Sequence, residues 1–447
     1  MRYLLLLTAL ACGPLFANPL ECRHWFAGQQ AALDAAGIHD AGSVRVPGHP
    51  HLRVDRWLVM LHGEALGDAR QQLWLELAGE QAREGWQAEL SRLDPGGDWQ
   101  DRLEPCLTAL ASVSTFHAVG EVAVADSHAR WQRVIGLYPL TRLVARPGLQ
   151  RQRRLREARL QRPARPPLRH YVPAPFSGNM PVLASLPVNA FDLPRPRGPG
   201  RQALLAHYAP VLSVSDPRDI NQPGRVVMAA GQPRVDTDQP RGYQWTSWTR
   251  FRGHNLLQLN YQFWFPRRPP QGRLDPRSGE LDSLIWRVTL KPDGNVLYYD
   301  SLRGDGSDHT IFPVAGGLRP RLQGASAPVY ARRPAPNAAA GRVNLQLEPG
   351  SHALVRVEPF QPDSDIRHYL LSDADALQHL ADDQGGVTSL YDARGLVPAS
   401  RRRPSPLHWS LGMRAAGTLR QPGHHALDPL GRRHFDDPRL PAALFVE

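Results

Sequence analysis

From Leu257 to Phe265 the chain keeps a strict period of two. Leu257, Leu259, Tyr261, Phe263 and Phe265 alternate with Gln258, Asn260, Gln262 and Trp264. Successive side chains of a strand point to opposite faces, so this spacing predicts a long β-strand with one apolar face. Two turn signatures extend the pattern. Leu284–Leu290 and Asn295–Asp300 flank Lys291-Pro292-Asp293-Gly294, and Arg342–Leu347 and Ala353–Val357 flank Glu348-Pro349-Gly350-Ser351. Pro and Gly supply the fixed and the positive φ that hairpin turns require. The content of 43 prolines also argues against a mostly helical chain.

The first part of the chain reads differently. Trp25, Phe26, Ala32 and Leu33 fall at helical spacing in Glu21–Ala36, and Gly37 is a plausible stop. Asp55 is placed to cap a short helix carrying Trp57, Leu58 and Leu61. Asp68 is placed to cap a longer one through Leu73, Leu77, Trp86, Leu90 and Leu93, which Pro95-Gly96 ends. The stretch Pro166–Gly200 is rich in Pro and Gly and marks the main boundary. The expected class is α+β: an N-terminal helical domain (18–141), an Arg- and Pro-rich linker (142–200), and a mostly antiparallel β domain with a loop-rich C-terminal tail (201–447).

Residues 1–17 read as a secretory signal peptide. Arg2 supplies the positive charge, Leu4–Leu7 the apolar run and Ala17 the small residue before cleavage. The alternative is a lipoprotein anchored at Cys12. No later run is long and apolar enough to span a bilayer. If Cys12 leaves with the leader, Cys22 and Cys106 remain as an even pair in an oxidising compartment, which points to one disulfide. The expected location is periplasmic or secreted.

The net charge is +11, and every basic residue except Lys291 is an arginine. Between Arg142 and Arg169 ten arginines face one acid, Glu157. Such a segment can hold phosphates of lipopolysaccharide or lipid head groups, with Arg151, Arg153, Arg154 and Arg156 at its centre. Placement after an export signal disfavours nucleic acid as the partner. The bland reading is a solvated helical linker.

No G-x-S-x-G, H-E-x-x-H, phosphate-binding loop or zinc-type cysteine pattern occurs. Two polar clusters remain: Asp305–His309, and His424, His425, Asp428 and His434–Asp437 in the tail. A tail laid over the strand-end loop could bring His309, His425 and His434 together, with Asp308 as a further oxygen ligand. Imidazoles and a carboxylate in that number suit a divalent metal such as zinc with one position open for water. Otherwise no cofactor is expected.

The runs Leu256–Pro266, Leu281–Leu290 and Gly431–Pro438, together with Leu52–Arg56, resemble a family of uncharacterised exported proteobacterial proteins. The resemblance implies export and architecture rather than chemistry. Some members of that family carry a Cys-x-Cys-x-x-His-like element where this chain has Gly304–His309, of which only His309 remains. The functional expectation is an exported cell-envelope protein that binds an anionic envelope component or another envelope protein. The alternative is a metal-dependent hydrolase of the periplasm.

Overall fold

The computed structural model describes residues 17–446, apart from 65, 115, 125, 164, 165, 167, 168, 179–182, 184–187, 271, 273, 274, 276, 316, 317, 339, 340, 363, 364 and 403–405. The expected leader, with Cys12, lies outside the described residues except for Ala17. Among the described residues no helix is long and apolar enough to cross a membrane.

Helix α1 (Pro19–Ala36) starts at Asn18, whose side chain accepts from the Leu20 amide, and ends at Gly37 with φ 66°. The hairpin β1 (Val44–Val46) and β2 (His49–Val54) follows. Leu52–Arg56 spans two elements: Val54 ends the strand and Asp55 caps α2 (Arg56–His62) as its position predicts, accepting from the Leu58 amide at 2.9 Å. The physical reason is tertiary. Leu52 and Val54 pack into the core around Trp74 and Leu77, while Arg53 reaches Glu89 at 2.5 Å. Helices α3 (Asp68–Leu93) and α4 (Trp99–Ala111) complete the unit. Cys22 and Cys106 form a disulfide that joins α1 to α4 inside a core with Phe26, Leu33, Trp86 and Leu103.

Two helices then precede the sheet: α5 (Arg130–Ile135) and α6 (Tyr138–Arg159). Strand β3 (Arg169–Pro173), helix α7 (Gly198–Tyr208) and strand β4 (Val211–Val214) come next. The span 142–200 thus contains most of a 22-residue helix and a sheet strand.

A small hairpin, β5 (Arg225–Ala229) and β6 (Gln232–Asp236), forms a sheet of its own and packs Val226 and Val235 against Tyr243 and Trp264. The remaining strands are β7 (Arg241–Phe251), β8 (His254–Arg268), β9 (Gly279–Leu290), β10 (Val296–Arg303), β11 (Thr310–Pro313), β12 (Val329–Tyr330), β13 (Val343–Leu347), β14 (Leu354–Pro359) and β15 (Asp365–Asp373). They form an 11-stranded sheet with order β12-β11-β10-β9-β8-β7-β15-β3-β4-β13-β14. The run β7 to β11 is an antiparallel meander, whereas β11–β12, β7–β15, β15–β3 and β4–β13 pair in parallel. The architecture is α+β, with a mixed sheet whose centre is antiparallel.

The apolar stripe of β8 faces the main core. Leu257, Leu259, Tyr261, Phe263 and Phe265 pack there with Trp286, Val288 and Tyr299. The polar stripe is buried as well. The Gln258, Asn260 and Gln262 amides donate to Thr289, Ser247 and Ser283 hydroxyls at 3.3, 3.0 and 3.0 Å. Side-chain pairing gives each of these amide nitrogens a partner, while Gln262 Oε1 is buried without one among the described residues. The C-terminal tail covers that face: Leu440 and Leu444 of α9 (Leu440–Leu444), with Phe445, pack on Phe251, Leu256 and Tyr298.

Candidate functional site

The strand-end loop and the tail do meet. The Arg420 amide donates to the Gly304 carbonyl at 2.9 Å; within the tail, the Phe435 amide donates to the His425 carbonyl at 2.9 Å. At Gly306, φ 88°, a Cβ would lie 2.5 Å from the Ala426 carbonyl oxygen, so the close approach requires glycine.

The four residues expected to share a metal are sent to different partners. His309 Nε2 lies 2.9 Å from an Asp300 carboxylate oxygen. Asp300 also takes a two-point contact from Arg287 at 2.9 and 2.6 Å, across the β9–β10 ladder. Phe435 neighbours both histidines, its ring 6.1 Å from that of His309 and 6.4 Å from that of His425, and stacks on the Arg287 guanidinium at 3.5 Å. Asp308 sits in the left-handed region with φ 61° and pairs with Arg277 at 3.4 Å and Arg156 at 3.7 Å. Burial raises the Asp308 carboxyl, but Arg277 and Arg156 outweigh it and hold the group below its ordinary value. His425 is buried, with no hydrogen-bond partner at Nε2 among the described residues, and burial pushes it down to about 3. The three histidines therefore do not share one centre.

His434 joins a different group. Asp126, His128 and His434 offer ligand atoms within 4.8 Å of one another, the one such grouping among the described residues. Asp126 and His128 were not singled out in the sequence because they lie some three hundred residues from His434 and match no spacing motif. The group is already spoken for: His434 Nε2 accepts from the Ser127 amide at 3.2 Å, and the Arg432 guanidinium occupies the second Asp126 oxygen. Burial raises the Asp126 carboxyl; hydrogen bonds from His128 and Arg432 lower it by more. Together with His128 Nε2 against the Asp428 carbonyl at 2.9 Å, these contacts clamp the tail to the segment before α5.

The arginine-rich segment divides by helix face. With 3.6 residues per turn, Tyr138, Thr141, Ala145, Gln152, Arg156 and Arg159 share the inner face of α6. Ala145 is the buried residue of this helix. Arg156 binds Asp308, and Arg159 and Arg162 reach Glu348 at 3.2 and 2.6 Å. Arg153 is tied to Glu157 at 3.1 Å and to the Gly324 carbonyl at 2.9 Å. Beneath this half of the helix, Arg156, Arg159, Arg303 and Asp308 line a cavity of about 20 Å³, room for about one water. Arg151 and Arg154 lie on the outer face. Among the described residues they, like Arg146, are exposed and carry no ion pair. Of the four arginines expected to bind an anionic surface, two are free to do so and two hold the helix to the sheet.

The chain matches no protein-family model and no curated protein. Among solved structures it is similar to one described as NLPPya in complex with mannosamine, at 16% identity and TM-score 0.25, over 47% of this chain and 84% of that one. Another is described as a toxin fold for microbial attack and plant defense, at 14% identity and TM-score 0.23, over 42% and 82%. A third is the necrosis and ethylene inducing protein 2 from the causal agent of cocoa's witches' broom disease, at 18% identity and TM-score 0.22, over 45% and 85%. A likeness this slight defines neither the fold nor the activity.

Proposed function

We propose that this chain is an exported envelope protein that docks on an anionic surface through the outer face of α6. The observation that carries the reading is the set Arg146, Arg151 and Arg154: exposed guanidiniums on a helix whose acidic neighbours are engaged elsewhere. Exposed cations without partners are available to lipid or lipopolysaccharide phosphates. The Cys22–Cys106 disulfide fits an oxidising compartment and so supports export.

Replacing Arg146, Arg151 and Arg154 together by Gln is expected to weaken binding to phosphatidylglycerol vesicles or to lipopolysaccharide by about a hundredfold, at roughly 1 kcal/mol per surface arginine. Unchanged binding returns α6 to the role of a solvated connector. Arg153 and Arg156 are left intact in this test because their loss would loosen α6 from the sheet.

A second reading, a metal-dependent hydrolase, has one observation in its favour, the Asp126–His128–His434 grouping. The guanidinium of Arg432 on the same carboxylate opposes a dication there. Elemental analysis of untagged protein is expected to find no stoichiometric zinc. Zinc that is bound one to one and lost in His128→Ala would favour the hydrolase.

A further inference from the structure

The outer stripe of α6 changes character along its length. Leu140, Leu143 and Val144 occupy it before Pro147; Arg151 and Arg154 occupy it after. Val144 is 74% exposed, and Val134 on α5 is 76% exposed. Trp131 and Ile135 of α5 are also exposed, as is Leu137 at the corner between the helices. Trp409 of helix α8 (Pro406–Ser410) stands beside them, its ring 5.9 Å from that of Trp131 in an edge-on contact. Eight of the sixteen strongly exposed large apolar side chains among the described residues fall in this one place. A groove of about 450 Å³ runs between Leu140, Val144 and Trp409. A concentration of this kind marks an interaction site rather than ordinary surface.

The scaffold holds the patch out. Arg133 donates to the Leu411 and Gly431 carbonyls at 2.9 and 2.5 Å, and the Tyr138 hydroxyl donates to the Leu430 carbonyl at 2.5 Å. At Gly136 a Cβ would lie 2.6 Å from Ser410 Cα, so the corner is packed tightly against α8. Leu137 adopts φ 48°, a conformation unfavourable for a bulky residue, and the turn it makes leaves its own side chain in solvent.

We propose that this apolar platform inserts into the acyl region of an anionic lipid bilayer, with Arg146, Arg151 and Arg154 at head-group level. This deepens the surface-docking reading and rests on it: it selects a lipid bilayer over the phosphates of a polysaccharide. The argument is complementarity. Two tryptophans at the edge of an aliphatic patch, bordered by arginines without acidic partners, match the layering of a membrane interface: hydrocarbon, amphipathic ring, anionic phosphate. The bordering arginines would repel their counterparts on a second copy of the chain, which disfavours self-association through this face.

The test uses the chain beginning at Asn18, which retains every element described above and omits the apolar run of the expected leader. The probe is vesicles of phosphatidylglycerol and phosphatidylethanolamine, in ordinary form and with brominated acyl chains. The expected result is quenching of tryptophan emission by the brominated vesicles, with most of the quenching lost in Trp131→Phe/Trp409→Phe. Val134→Asp/Leu140→Asp, which keeps every arginine, is expected to bind at least tenfold more weakly with unchanged circular dichroism. Parent-like binding by that variant without quenching in the parent overturns insertion and leaves electrostatic docking in place. Failure of the parent to bind either these vesicles or lipopolysaccharide at low salt overturns the docking reading itself. Sedimentation as a dimer that Val134→Asp/Leu140→Asp converts to a monomer also overturns insertion, by assigning the patch to a second copy.

Discussion

His425 and His434 are imidazoles held neutral in the interior. Burial first, then Arg420 for His425 and Arg56 for His434, push both down to about 3 from 6.5. The unfolded chain binds protons at these rings below pH 6.5 that the folded chain refuses, so their contribution is complete above pH 6.5 and is lost as pH falls toward 3. Between pH 7 and pH 5 each histidine is expected to remove about 2 kcal/mol of stability. Denaturant unfolding at the two pH values checks this: His434→Gln should show a shallower pH dependence than the parent, and an identical dependence contradicts the assignment. Phe435 stacks on Arg287, and its carbonyl accepts from the same guanidinium at 2.6 Å. Phe435→Ala is expected to cost about 3 to 5 kcal/mol, read as a lowered denaturant midpoint. That the tail crosses the loop before His309 was legible, since a stretch rich in Pro and Gly must lie on something else. The separation of the histidines was not. It depends on Asp300 holding His309 and on the segment at Asp126–His128 holding His434, partners that no spacing in the sequence announces.

Helix α6 is the element where charge alone misleads. Ten arginines in one segment do not reveal that Arg156 and Arg159 look inward at Asp308 and Glu348 while Arg151 and Arg154 look out, because those acids come from loops far along the chain. The strand of 257–265 was legible because period two is a property of neighbouring residues. The burial of its polar stripe was not, because the cover comes from the tail at Leu440–Phe445. The hairpin at Val44–Val54 was missed for a similar reason: it is too short for its alternation to be read, and its place is fixed by packing on α3. The disulfide followed from cysteine parity. It closes a long loop, so reductant is expected to destabilise the α1–α4 unit by about 4 to 5 kcal/mol in the chain-entropy model. Thermal melts with and without reductant, followed by far-ultraviolet circular dichroism, check this, and superimposable melts would contradict it.

At the scale of the molecule, the tail joins the parts. It covers the second face of the sheet, holds α5 through Arg133, and meets Asp126 and His128 ahead of that helix. This arrangement fixes α5, α6 and Trp409 as one surface, apolar at one end and basic at the other, on a chain of net charge +11. The measurement that tests the central claim most directly is equilibrium binding of the chain from Asn18 onward to vesicles with and without phosphatidylglycerol across a salt series. The account predicts preferential binding to the anionic vesicles. It also predicts that this preference shrinks as the screening length falls from about 30 Å at low salt to about 8 Å at physiological salt. Equal affinity for the two compositions at every salt concentration would contradict it.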